Sequence, residues 1–188
     1  MPPQTKFPPT PCNFFPPSVV YTLKPQRMTA VEYNACVDMY ADALYRFVLS
    51  AIHHEAAAQD IVQDAFAKMW EKRQHVRFET SKTYLFKIAH NLIIDRWRKT
   101  KREEPLEPIH EPLKTTLPRD TDLQEVLHRA LKFLPPDQRT VLLLRDYEGY
   151  SYKEIEQITK LNASQVKVYI YRARKKLKNI LTRMGYVA

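Results

Sequence analysis

From Lys167 to Arg183 the chain carries Lys167, Arg172, Arg174, Lys175, Lys176, Lys178 and Arg183 and not one acidic residue. Such a run suits the phosphate backbone of a nucleic acid, which is held by cations and read by side chains that reach base edges. A second cationic group, Arg96, Arg98 and Lys99, follows Asn91 and stands among Tyr84, Phe86 and Trp97. Amide and aromatic groups can receive a base that has left its stack, while cations hold the strand. A third group is acidic and polar: Asp60, Gln63 and Asp64 fall on adjoining rows of a helix, as a docking face or an ordinary solvated one would. Catalytic chemistry has less material. His53, His54 and Glu55 lack the HExxH spacing of a metal site, and Cys12 and Cys36 form no CxxC pair. No catalytic, cofactor or metal site is expected.

Helices must position these groups. The chain has 188 residues with only 2 glycines, which leaves turn-rich β folds and glycine phosphate loops without raw material. The net charge of +9 favours an anionic partner. Two bare cysteines fit a reducing cytoplasm. No stretch reaches the roughly 18 apolar residues of a membrane span, so a soluble, intracellular protein is expected.

Residues 1–27 repeat Phe-Pro-Pro at Phe7 and Phe15 and read as a disordered, proline-rich arm. Thr29 and Glu32 make a capping box, after which Tyr33, Cys36, Val37, Tyr40, Leu44, Phe47 and Val48 recur at helical spacing. A second helix is predicted over 55–74, with an apolar stripe of Ala58, Ile61, Val62, Ala65, Met69 and Trp70. A third is predicted over 81–101, burying Leu85, Phe86, Ile88, Ala89, Leu92 and Ile93; His90 is left open as a polar surface residue. Residues 103–120 are acidic and broken by Pro105, Pro108, Pro112 and Pro118, the composition of an interdomain linker. The first domain is therefore drawn at 28–102.

Beyond the linker, Leu123 to Leu134 makes an amphipathic helix stopped by Pro135 and Pro136, and Val141 to Tyr147 makes another, with Gly149 at its left-handed cap. Ser151 and Glu154 box the start of a short helix burying Ile155 and Ile158. Lys160 to Asn162 turn the chain, and Asn162 with Gln165 opens the long basic helix. Short helix, tight turn and long helix form a helix-turn-helix, whose second helix reads base edges from its N-terminal end. This second domain is drawn at 121–182, with a tail at 183–188. The fold class is all-α: two small helical domains joined by a flexible linker, the C-terminal one a helix-turn-helix.

The string Leu134-Pro135-Pro136-Asp137-Gln138-Arg139, then Tyr150 to Ile155, then Val166-Lys167 and Tyr171 to Leu177 resembles the fourth conserved region of extracytoplasmic-function sigma factors. Asp60 to Phe66 with Met69-Trp70, and Thr83 to Asn91 with Asp95 to Lys99, resemble the second conserved region of the same family. The resemblance spans about residues 29–182. It implies a factor that binds core RNA polymerase and directs initiation at promoter DNA, with polymerase doing the chemistry. Asp60, Gln63 and Asp64 would dock on the clamp helices of polymerase. Asn91 would hold a flipped base of the minus-ten element, with Arg96, Arg98 and Lys99 on the strand. Lys167, Val168, Tyr171 and Arg172 would contact the minus-thirty-five element, with Arg174 and Lys175 on its backbone. An anti-sigma partner is implied in the same way, and the linker would occupy the RNA path. Two departures from the pattern are Glu156 in place of alanine and Lys160 in place of the turn glycine. The rival readings are a free-standing helix-turn-helix regulator, which leaves the first domain unexplained, and a nucleic-acid enzyme, which lacks its clustered carboxylates.

Overall fold

A computed structural model describes residues 27–103 and 123–186. Residues 1–26, 104–122 and 187–188 lie outside it, and with them fall nearly all of the expected arm and linker. Among the described residues there is helix and no strand. The first module comprises α1 (Ala30–Ile52), α2 (Glu55–Lys72) and α3 (Ser81–Glu103), and the second α4 (Leu123–Lys132), α5 (Pro136–Leu142), α6 (Tyr152–Thr159) and α7 (Ala163–Arg183).

Local chemistry sets the ends of these helices. Thr29 accepts from the Glu32 amide while the Glu32 carboxylate takes the Thr29 N–H at 2.7 Å, closing the capping box on α1. His53 ends α1 in the left-handed region at φ 55°, and His54 accepts from the Ala57 amide to start α2. Ser151 with Glu154 and Asn162 with Gln165 make the same reciprocal pair at α6 and α7. Each such cap contributes about 1 kcal/mol.

Packing inside the first module follows the apolar stripes. Cys36, Leu44, Phe47 and Val48 of α1 meet Ala58, Ile61, Ala65 and Met69 of α2 and Leu85, Phe86, Ala89 and Ile93 of α3. Tyr33 Oη donates to the Phe66 carbonyl at 3.1 Å, and Cys36 Sγ to Ser81 Oγ at 3.2 Å, so polar groups also tie the three helices. Met28 is buried and its N–H donates to the Arg73 carbonyl, which makes it part of this module. Arg73 lies 3.8 Å from the centre of the Trp70 ring.

Three expectations need correction. Trp70 does not join the core stripe: it is 38% exposed, standing edge-on to Tyr33. His90 is buried rather than superficial. The helix drawn from Val141 begins at Pro136, because a proline at the first helical position forfeits only an amide that has no partner there. Its continuation, Leu143–Tyr147, widens into a π turn, and Gly149 takes the left-handed conformation that ends it, at φ 74°.

The two modules are not separate bodies here. One continuous apolar cluster runs from Met28 through Phe86 to Leu131, Tyr150 and Ala173. The Phe86 ring lies 5.3 Å from Phe47, tilted against it, and 5.3 Å from Tyr150, edge to face, so a row of three packed rings crosses the seam.

Candidate nucleic-acid interface

The final helix separates its faces as its periodicity requires. Val166, Ile170, Ala173 and Ile180 are buried, while Lys167, Arg172, Arg174 and Lys175 are exposed, with Val168 and Tyr171 exposed beside them. Lys167, Tyr171, Arg174 and Lys175 line one shallow groove of about 480 Å³ with Tyr152 and Lys178. Cations and aromatic rings facing one groove match a polyanion with stacked bases. Val168 and Arg172 lie outside that groove.

Arg174 is already engaged. Its Nε donates to Asp146 Oδ2 at 3.0 Å and its Nη2 to Asp146 Oδ1, a bidentate pair that raises the guanidinium further above its ordinary value. Asp146 comes from the π turn, which is how a carboxylate 28 positions away in sequence reaches α7. Exposed pairs of this kind are worth about 0–1 kcal/mol, so a phosphate could take the place of Asp146. Tyr152, stacked by Arg145 at 4.9 Å, is the further groove member that periodicity did not single out.

In the first module, Asn91, Asp95 and Arg98 form one exposed row on α3, and Arg98 pairs with Asp95 at 3.6 Å. Asn91 opens on two clefts. One, of about 310 Å³, lies between α2 and α3, lined by Lys68, Lys72, Tyr84 and Leu92 among others. The other, of about 530 Å³, lies between the modules: His90, Asn91, Asp95 and Arg98 face Asp137, Thr159, Lys160 and Leu161. Arg96 and Lys99 are exposed but line neither cleft. Burial, opposed by Asp137 and helped by Lys160, pushes His90 down to about 4, so its imidazole is neutral at neutral pH.

Asp60, Gln63 and Asp64 are exposed on the side of α2 opposite Ala57, Ala58, Ile61 and Ala65, which are buried. They make a polar face clear of the inter-module cleft. No cluster of metal-ligating side chains occurs among the described residues, and none of their helices is long and apolar enough to cross a membrane.

Comparison with known proteins places these features in a family. Residues 36–103 match the model for sigma-70 region 2, and residues 124–177 match that for sigma-70 region 4. The RNA polymerase sigma factor SigV of Bacillus subtilis is 32% identical over 167 residues, covering 86% of this chain and 98% of that one. The RNA polymerase sigma-E factor of Streptomyces coelicolor is 31% identical, covering 80% of this chain and 86% of its own. Among solved structures, the sigma factor RpoE of Bartonella quintana, in complex with the anti-sigma factor NepR, superposes with a TM-score of 0.67 at 26% identity, covering 80% of this chain and 97% of that one. Two modules of the right kind, in the right order and over nearly the full length of such relatives, leave one assignment: the chain belongs to the sigma-70 family as a promoter-recognising sigma factor of the extracytoplasmic-function group.

Proposed function

We propose that this sigma factor divides its work between the modules, 28–102 and 121–182. Asp60, Gln63 and Asp64 dock on core RNA polymerase. Asn91 receives a base of the opened minus-ten strand, with Arg98 beside it and Arg96 and Lys99 on the flanking backbone. Lys167, Val168, Tyr171 and Arg172 meet the minus-thirty-five duplex, and Arg174 and Lys175 hold its phosphates. Polymerase supplies the catalysis and this chain supplies none. An anti-sigma factor, like the one seated on the Bartonella protein, is its regulatory partner, and the cytoplasm is its compartment.

The observation that supports this reading is the presence of both modules in one chain, each with an exposed polar face. A free-standing regulator needs the helix-turn-helix alone. Transcription with purified core polymerase on a promoter library tests it: addition of the protein should yield defined start sites with shared sequence at two spacings upstream. A library transcribed no differently with and without the protein refutes the assignment of these roles.

A further inference from the structure

α7 carries no acidic residue of its own, yet a carboxylate sits on its basic face. The π turn Leu143–Tyr147 delivers it: Asp146 engages Arg174 through Nε and Nη2 at once. Single π turns of this kind occur mostly at functional sites, and this one is fixed on both sides of Asp146. The Arg145 guanidinium donates to the Tyr150 carbonyl at 2.8 Å and lies over the Tyr152 ring, while the Glu148 and Tyr150 amides bond the Leu143 and Leu144 carbonyls. The carboxylate is therefore aimed by the backbone, with Gly149 at φ 74° closing the turn behind it.

A carboxylate fixed there opposes a polyanion. Carboxylate and phosphate present an arginine fork with the same pair of acceptor oxygens, so Asp146 holds on Arg174 the place that a DNA phosphate would take. The pair is open to solvent, the Arg174 and Asp146 side chains being 53% and 36% exposed, and an exchange of partners strands no buried charge. Arg174 meanwhile lines the groove with Lys167, Lys175 and Lys178, and Asp146 lies outside that groove. While the pair is made, one of these four cations is neutralised. When a phosphate displaces Asp146, all four act on the DNA.

We propose that Asp146 is a specificity-determining residue: it occupies Arg174 as a stand-in for phosphate and gives it up only to a duplex whose bases seat α7. This rests on the minus-thirty-five role given to α7 above. A phosphate reaches the Arg174 fork when the helix lies deep in the major groove, and base contacts near its N-terminal end hold it there on the right sequence. On any other sequence the helix rides loosely on the backbone through counterion release, and the pair stays closed. The net charge of +9 favours such loose binding everywhere, and competing sites vastly outnumber promoters. Asp146 lowers it selectively.

The test is Asp146→Asn, which keeps the shape of the side chain and removes its charge, measured in the full chain by fluorescence anisotropy. Two duplexes of equal length and composition serve as probes: a minus-thirty-five sequence taken from the promoters that polymerase selects with this protein, and a scrambled one. The variant, with unchanged circular dichroism, should bind the scrambled duplex at least about fivefold more tightly and the minus-thirty-five duplex less than about twofold more tightly. The slope of log affinity against log salt should steepen by about 0.9 on the scrambled duplex alone, the increment of one further phosphate. Asp146→Ser, a second neutral variant, should do the same. Equal gains on both duplexes would mean a general charge effect, a loss on both that Asp146 orients Arg174, and no change that the pair is idle; each overturns the proposal. Arg174→Ala separates this outcome from failure of the reading beneath it. It should weaken minus-thirty-five binding. If it does not, the phosphate role of Arg174 falls and the exchange with it; if it does, and Asp146→Asn gives any of those three results, the exchange alone falls.

Discussion

Arg172 and Asn91 are both exposed polar residues on basic helices, yet they are assigned to different states of DNA. Arg172 belongs to the helix proposed to enter the groove of closed duplex, so Arg172→Ala should weaken binding to minus-thirty-five duplex by about 1–3 kcal/mol if it reads a base. Asn91→Ala should leave that binding alone and slow strand opening, which permanganate reactivity of minus-ten thymines reports. Equal defects from both substitutions would contradict the division. Titration makes a further prediction at this scale. Burial, with Arg139, Lys132 and His128 beside it, pushes His53 down to about 3, and His90 is pushed to about 4. An unfolded imidazole titrates near about 6.5, so as pH falls below that value the unfolded chain takes up protons that the folded one refuses. Stability held above pH 6.5 is therefore lost on the way down to about pH 4. The melting temperature should drop steadily between pH 7 and pH 5; a flat profile would show that these imidazoles are hydrated.

At the scale of elements, Lys160 tests the turn of the helix-turn-helix. It ends α6 at φ 61°, where its N–H bonds the Glu156 carbonyl, and a side chain in that region costs about 1–2 kcal/mol. Glycine removes the strain but gains freedom in the unfolded chain. Lys160→Gly should accordingly stabilise the protein by about 0.5–1 kcal/mol, read as a higher denaturation midpoint; destabilisation would mean that the lysine side chain makes a contact worth more than the strain. The capping boxes at Thr29, Ser151 and Asn162 were legible from residue type and spacing alone, because a cap is a local event. The start of α5 was not, since Pro135-Pro136 stops one helix and opens the next with the same atoms. The Asp146 to Arg174 pair was equally hidden: a π turn sets the aim of Asp146, and no periodicity announces one. Trp70 misled because an aromatic at helical spacing belongs to the core stripe by pattern, while the position of Tyr33 and Arg73 decides where it packs.

For the whole molecule, two helical modules could be read from the stripes and the proline-broken segment between them, but their union could not. Phe86 shows why: its burial was expected, yet one of the rings packed against it is Tyr150 from the other module, a long-range match that composition does not encode. Met28 belongs to the core of the first module. Its side chain is 3% exposed, so Met28→Ala should cost about 2–5 kcal/mol, whereas removal of residues 1–26 should leave the melting temperature and promoter affinity nearly unchanged. A loss of several degrees on that truncation would show that the arm packs. The central claim is that this chain acts through polymerase, and the exposed face of α2 is where it is most directly tested. Asp60→Lys with Asp64→Lys reverses charge at a surface away from core and caps, where folding stability usually shifts by only about 0.5 kcal/mol, yet against a basic partner it would set like charges together. Co-elution with core RNA polymerase, checked by circular dichroism, is the measurement. Wild-type protein should co-elute, and the folded double variant should not. A wild-type protein that binds promoter duplex tightly by itself and never associates with polymerase would contradict the account.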